Sequence, residues 1–319
     1  MHQMKKVING KNCILGIGGI ALDITARSVN PVVIHDSNPG RIRTSPGGVT
    51  RNICENLARM GTPVAMLSVV GQDSFGDSVT KATAAAGVNM DYVMHCPGKT
   101  ASYLALLDSD GDLYVASSDF SIMKELSEEY LLRMQELMTN AAAIVTDANM
   151  SREQLDSLIR LAGNTPLFLD PVSEAKSYHV ADIIGSFFMV KPNAMELATL
   201  SGIPCDSDEE IVKAASALID KGCRAVAVSL GKRGCFYIDC TGNRFFRKLS
   251  IESEMVNAVG AGDAFLAGFI SGYHRNLSPA QCVDRALAAG LIATRSPDTI
   301  HPEMSDALLN DVIRNYAAT

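Results

Sequence analysis

The chain has 319 residues, 47% of them hydrophobic, which is enough for one large α/β domain or two smaller ones. It has no Trp and only 6% aromatic residues, so aliphatic and Ala/Gly packing must dominate the core, and its net charge of −7 argues against nucleic acid as an electrostatic partner. A small anionic substrate is not excluded, because backbone dipoles bind phosphate in acidic proteins. The eight cysteines form no Cys-x-x-Cys pair and no Cys/His cluster with zinc-ligand spacing. Residues 1–12 are polar and basic rather than a signal sequence, and the apolar runs are too short for a bilayer. The expected class is a reduced, cytoplasmic enzyme with no membrane or nucleic-acid partner.

In chain order, residues 13–20 are apolar with three glycines and read as a first buried strand ending in a turn. Residues 32–44 are polar and β-like, with an Asn-Pro-Gly turn at 38–40. Ile53, Leu57 and Met60 recur at helical spacing in 52–60, and Gly61 follows as the residue that ends the helix. Residues 64–70 form a short buried strand closed by Gly71, and 74–86 a helix ended by Gly87. Residues 100–117 read as two alternating strands joined by a turn at Ser109-Asp110-Gly111. Further short apolar strands are predicted at 141–146, 167–169, 187–190 and 225–229, separated by helices at 152–162, 194–200 and 209–221. Strands alternating with helices in this way predict a mainly parallel sheet covered on both faces. Residues 32–46 and 99–118 have no helical crossover and are expected to form a small β flap over one end of the sheet, able to close on a ligand.

Four segments carry the chemistry. In Ser45 to Asn52, the pair Gly47-Gly48 lets the backbone approach a ligand, and Asn52 at a helix start can present its amide to a hydroxyl. Alone, such a pair is more often just a loop. Lys191-Pro192-Asn193-Ala194-Met195-Glu196 matches the spacing of a capping box. The competing reading is a polar pair holding water around Mg²⁺, and spacing alone favours the cap. Ser229 to Gly234 is either a hairpin turn into 235–238 or a Gly-rich turn lying along a nucleotide with Lys232 or Arg233 near its phosphates. The two readings stand even. The most specific element is Gly260-Ala261-Gly262-Asp263, three small residues and an acid opening an apolar helix. Tight backbone and the positive helix end offer an anion site, and Asp263 lies within one turn of it as a general base. The segment lacks the Gly-Lys-Ser/Thr of a Walker motif, and Gly16 to Gly19 does not complete a dinucleotide fingerprint.

In this order, the four segments resemble the ribokinase (PfkB) family of sugar and nucleoside kinases over nearly the whole chain. Gly47, Gly48, Asn52, Gly61 and Gly71 match the family's N-terminal pattern, and residues 257–263 match its Asp-Thr-x-Gly-Ala-Gly-Asp. Within the family, residues 36–40 with 46–48 and 51–52, then 100–108, 169–173 and 191–193, are most similar to members that phosphorylate pseudouridine. The resemblance implies one ribokinase-like domain over 1–319, a three-layer α/β/α fold with a β lid at 32–46 and 99–118, and a homodimer through that lid. It implies Asp263 as base, with the Gly260, Ala261 and Gly262 N–H groups around the transferring phosphoryl. Asp23, Gly47, Gly48 and Asn52 would hold the ribose, and Thr100, Ser102, Asn149 and Asp36 are candidates for the base. ATP would lie along Lys191, Ser229, Gly231, Gly234 and Gly262, with Mg²⁺ held through water by Asn193 and Glu196. Ala21 replaces the family's Asn two positions before Asp23, and Thr50 and Cys54 replace smaller residues. Ala258 and Val259 replace hydroxyl residues, and Asn257 replaces an Asp that in relatives supports a monovalent cation, which weakens the case for K⁺ as a cofactor. Another nucleoside or sugar kinase of the family stays open as an alternative. A non-catalytic nucleoside-binding protein is disfavoured by the intact Gly-Ala-Gly-Asp.

Overall fold

The computed structural model describes residues 12–249 and 256–315, so the polar leading segment lies almost entirely outside it. Along the chain run β1 (Ile14–Ile17), β2 (Ala21–Ser28), β3 (Gly40–Gly47), β4 (Val64–Gly71), β5 (Asn89–Cys96), β6 (Ala101–Leu107) and β7 (Leu113–Asp119). They are followed by β8 (Ala143–Asp147), β9 (Leu167–Asp170), β10 (Met189–Val190), β11 (Ala225–Ser229), β12 (Cys235–Asp239) and β13 (Arg244–Arg247).

Nine strands form one sheet in the order β13-β12-β11-β10-β9-β8-β1-β4-β5. Pairing is parallel from β5 to β11 and antiparallel at β12 and β13. The central strands are fully buried apolar runs, because helices cover both faces of a parallel sheet. Their alternation splits the core in two. Leu15, Ile17, Ala65 and Leu67 pack in one cluster, and Ile14, Val64 and Met66 in the other. The chain builds β1, β4 and β5 to one side and then returns to build β8 to β11 on the other, so its direction of winding reverses between β1 and β8. A crevice opens at the carboxyl ends of strands at such a reversal.

The second sheet has the order β3-β2-β6-β7. Its β6 and β7 form the expected hairpin, with β7 running on to Asp119, two residues past the predicted end. Its β2 does not follow from the sequence reading, and residues 32–39 are a loop rather than a strand. In β2, Leu22, Ile24 and Ala26 alternate with Asp23, Thr25 and Arg27, a period-two pattern that directly follows the first strand predicted at 13–20 and lies outside every predicted element. In the loop, Asn38 takes the place of a strand partner: its Oδ1 accepts from the Val33 N–H at 2.8 Å and its Nδ2 donates to the Val33 carbonyl at 2.9 Å. Among the described residues no helix is long and apolar enough to cross a membrane, and all eight cysteines are free thiols.

Phe168, Phe188 and Tyr273 pack together, with ring centroids 5.1–5.3 Å apart. Phe168 is fully buried on β9. Phe168→Ala is expected to cost about 3–5 kcal/mol, more than Phe246→Ala on the exposed β13, as read by urea unfolding.

Candidate active site

The crevice between β1 and β8 is where the Gly-Gly segment meets the sheet. Gly48 precedes the Val49–Arg59 helix with φ 101°, and a Cβ there would stand 2.4 Å from the Gly19 carbonyl oxygen. Only glycine meets both demands. A Cβ on Gly47 would fall 2.2 Å from Asp23 Oδ1, so Asp23 of β2 is pressed on bare backbone of the neighbouring β3. Burial pushes the Asp23 carboxyl up to about 6, against the pull of the Arg51 guanidinium. Thr50 donates from its N–H and its hydroxyl to Asp147 Oδ2, at 2.9 and 2.6 Å, which locks the helix start onto the end of β8. Asn52 Nδ2 donates to Asp263 Oδ2 at 2.9 Å, joining the N-terminal and C-terminal segments across 211 residues of sequence.

Asp263 occupies the first turn of the Ala261–His274 helix and is half-buried. Gly260 sets the entry with φ 82°, and its missing Cβ would otherwise stand 2.1 Å from the Thr299 carbonyl oxygen. No side chain caps this helix. The Ala261 N–H is turned back to the Ala258 carbonyl at 3.3 Å, so the donors left at the helix end are those of Gly262 and Asp263. An uncapped start of this kind can receive an anion. The Asp263 carboxyl is pushed up to about 7, chiefly by burial and then by the Asp170 carboxylate. The Asn52 hydrogen bond and the Lys191 charge oppose the rise, and Asp147 adds to it.

Lys191 follows β10 and lies buried, with Nζ 3.0 Å from Asp170 Oδ2. Burial alone would weaken the hold of this ammonium on its proton. The surrounding Asp170, Glu196 and Asp263 carboxylates outweigh it and raise its pKa. A Cβ on Gly262 would come 2.9 Å from that Nζ, so the lysine tip packs directly against the helix start.

Asn193 and Glu196 form a complete capping box: Asn193 Oδ1 accepts from the Glu196 N–H at 2.9 Å, and Glu196 Oε2 accepts from the Asn193 N–H at 2.8 Å. The cap engages one oxygen of each side chain. Burial raises the Glu196 carboxyl, against the Asn193 hydrogen bond and Lys191. Among the described residues no group of three or more His, Cys, Asp or Glu side chains could by itself hold a metal ion. Ser229 bridges to Asn193 and donates its N–H to the Pro192 carbonyl at 2.9 Å. From there the chain makes a short 3₁₀ turn, Gly231–Arg233, into the β11–β12 hairpin. Gly231 faces open space, whereas a Cβ on Gly234 would meet the Arg247 carbonyl oxygen at 2.1 Å. Arg233 is paired with Asp208 at 2.9 Å, and Lys232 is exposed.

The candidates for a ligand's base scatter. The Thr100 hydroxyl is buried, donating to Asp73 Oδ1 at 2.6 Å and accepting from the Gly71 N–H at 2.9 Å. Ser102 pairs with Leu22 and stands on the face of the small sheet opposite Asp23, while Tyr103 pairs with Asp23 and shares its face. Asp36 lies in the exposed loop, its Oδ1 accepting from the Ser37 N–H. Asn149 lies at the crevice: its N–H donates to Asp147 Oδ1 at 2.8 Å and its Oδ1 accepts from Lys176. Lys176 lies over the Phe120 ring at 5.9 Å, and that ring lies against Gly19. Asn149 and Phe120 also line a cavity of about 510 Å³. Sequence reasoning did not single out Asp147, Asp170, Lys176, Arg51 or Tyr103 as site residues. The available signal was a carboxylate closing each of two buried strands, β8 and β9. Asn257 braces the turn before Gly260: its Oδ1 accepts from the Val259 N–H at 3.0 Å and its Nδ2 donates to the Pro297 carbonyl at 3.2 Å.

Comparison with known proteins gives this geometry a family. Residues 11–306 match the pfkB family carbohydrate kinases. The chain is 35% identical over 306 residues to pseudouridine kinase of Escherichia coli strain K12, covering 96% of this chain and 97% of that one. It is 28% identical to guanosine-inosine kinase of Exiguobacterium acetylicum, with 93% and 99% covered. A crystal structure assigned to a sugar kinase from Clostridium perfringens superposes with a TM-score of 0.87 at 30% identity, with 96% of each chain covered. The chain belongs to the pfkB family of carbohydrate kinases, with the ribokinase-like α/β fold, and is a phosphotransferase acting on an alcohol group.

Burial of Asp263 has a measurable cost. Its carboxyl binds a proton more tightly when folded, at about 7, than at its ordinary 3.8. Between these values the unfolded chain is ionised and the folded chain is not, so stability falls as pH rises through this window and levels off above it. Asp263→Asn removes the penalty while keeping an oxygen for Asn52. It is expected to raise the urea midpoint relative to the unchanged chain near pH ~8, with the gain shrinking toward pH ~4.

Proposed function

We propose that this chain transfers the γ-phosphoryl group of ATP to the 5′-hydroxyl of pseudouridine, giving pseudouridine 5′-phosphate and ADP. The observation that carries the reading is Asp263, held by Asn52 beside an uncapped helix start and pushed up to about 7. The 35% identity to pseudouridine kinase over 96% of the chain supports the nucleoside.

Asp263 Oδ1 takes the proton of the 5′-hydroxyl as that oxygen attacks the γ-phosphorus, and the bond to the ADP oxygen breaks. Its contribution is position first and basicity second, since phosphoryl transfer asks little covalent chemistry of the protein. The Gly260–Gly262 turn lies around the transferring group. The free N–H groups at the helix end stabilise its developing charge, each on the order of 3 kcal/mol in comparable sites. Lys191 and the turn through Ser229, Gly231 and Gly234 line the path of the ATP phosphates. Glu196 keeps Oε1 outside the cap, and Asn193 Oδ1, its one side-chain oxygen, has a second lone pair; together they would suit holding Mg²⁺ through water, which would neutralise phosphate charge. Asp23, Gly47, Gly48 and Asn52 hold the ribose hydroxyls. The small sheet acts as the lid that excludes water.

Pseudouridine, a C-glycoside, has one more ring N–H than uridine. Asn149 and Lys176 on one side and Tyr103 on the other supply polar and stacking contacts for its base. A site that pairs the extra donor leaves an acceptor unsatisfied with uridine, which discriminates on the order of 10⁴-fold in favourable cases.

The outward face of the lid carries Ile42, Leu104 and Val115, exposed by 71%, 45% and 53%. We propose that a second copy covers this face in a cytoplasmic homodimer. Ile42→Glu is expected to give monomers in light scattering; an unchanged mass would overturn the interface.

Two measurements test the reaction. With Mg-ATP, pseudouridine is expected to be preferred over uridine, cytidine, adenosine, guanosine, ribose and fructose 6-phosphate. Preference for a purine nucleoside or ribose would replace the substrate and keep the kinase. Asp263→Asn should lose on the order of 10³-fold in turnover. In the unchanged enzyme kcat should rise with pH through about 7, as the base loses its proton.

A further inference from the structure

We propose that Arg51 is a positioning residue for phosphoryl transfer: its guanidinium fixes the orientation of the Asn52 amide and, through it, the carboxylate of Asp263. The proposal rests on the reading of Asp263 as the base.

An asparagine amide has one accepting and one donating end, and either can be turned toward a neighbour. Here both neighbours are one-sided. Arg51 Nη1 donates to Asn52 Oδ1 at 3.0 Å, and Asn52 Nδ2 donates to Asp263 Oδ2 at 2.9 Å. A guanidinium has no acceptor and an ionised carboxylate no donor, so only this orientation satisfies both. The second Nδ2 hydrogen stays available for a substrate hydroxyl. Oδ2 of Asp263 is taken by the amide, which leaves Oδ1 to meet the reacting hydroxyl.

Arg51 is itself held from several sides. Its Nε donates to Thr83 Oγ1 at 3.0 Å, and that hydroxyl donates onward to the Val79 carbonyl at 2.7 Å. Its Nη2 is paired with Glu55, whose other oxygen is held by Arg59 at 2.7 Å. Arg59 is tied in turn to the Pro302 carbonyl at 2.7 Å. Arg51 is only 3% exposed. Burying a guanidinium is expensive, and an apolar side chain would tie these helices together at lower cost. A fork of fixed donors aimed at one amide oxygen is what the charge adds.

Removing Arg51 frees the Asn52 amide to turn over. Its oxygen would then face Asp263, repelling the carboxylate and accepting from the protonated acid. The other charged groups around Asp263 are Asp170 and Asp147 from strand ends, which also favour the proton, and Lys191, which opposes it. Loss of the amide donor therefore shifts the balance toward the protonated base.

The test is steady-state kinetics with the nucleoside that the substrate panel selects, on Arg51→Met, Arg51→Lys, Asn52→Leu and Arg51→Met/Asn52→Leu. Arg51→Met is expected to lower kcat on the order of 10- to 100-fold, the loss tied to one displaced charge-assisted hydrogen bond, with KM little changed. The acid limb of kcat should move to higher pH, and Arg51→Lys, which can keep one donor on the amide but not the fork, should restore only part of the rate. In the Asn52→Leu background, Arg51→Met should cost nothing further in kcat, because the influence of Arg51 on Asp263 runs through that amide, while its pull on Asp23 bears on ribose binding alone. Wild-type kcat and acid limb in Arg51→Met, or an equal loss in both backgrounds, would overturn the proposal. Should Arg51→Met not fold, the same comparison with Arg51→Gln decides on the same outcomes. Asp263→Asn measured alongside separates the failures. Retained turnover there removes the base and this proposal together, whereas an inactive Asp263→Asn with an unaffected Arg51→Met removes this proposal alone.

Discussion

The buried ion pair between Lys191 and Asp170 organises the site. Two charges taken out of water are costly unless they face each other in good geometry, and here they do, at 3.0 Å across neighbouring parallel strand ends. The pair is not isolated. Glu196 and Asp263 also face the lysine, so one buried cation stands among three carboxylates, with Asp147 acting on Asp263 from beyond. That excess of negative charge, added to burial, is why Asp263 and Glu196 hold their protons more tightly than carboxyl groups in water. The Lys191 ammonium also packs close to Gly262, where a Cβ would stand 2.9 Å from Nζ, so the ion pair abuts the first turn of the Ala261–His274 helix.

Topology explains why these groups meet. β8, β9 and β10 end side by side, and Asp147, Asp170 and Lys191 are the last or next residues of those strands. The winding reverses between β1 and β8, so no crossover helix covers that end. Into the gap come two helix starts with bare glycine entries, Gly48 and Gly260, each pressed on a carbonyl that a side chain would strike. The Asn52–Asp263 hydrogen bond then closes the ring between the halves of the chain.

Much of the sheet was legible because buried parallel strands are short apolar runs bounded by glycines and helix periods. The helix at Arg152–Ala162 has the bounds its periodicity gives. The strand β2 was not legible, since its polar and apolar residues alternate directly after a fully apolar run. Asn193-x-x-Glu196 reads as a cap from spacing and forms one. Thr100 shows the limit of such reading. A hydroxyl beside a lid strand suggests ligand contact, yet Asp73 and Gly71, brought in by β4 and the following helix, take both of its hydrogen-bonding roles.

Sequence alone carried the α/β alternation, the two glycine-rich helix starts and the acid in the first turn of the apolar helix Ala261–His274. Those properties are local: they depend on period, on backbone freedom at glycine and on the donors of a helix end. Only the tertiary structure decided which carboxylates surround Asp263, which amide holds it, and that Arg51 stands behind that amide. These depend on contacts between residues far apart in sequence, and on burial, which no local pattern carries.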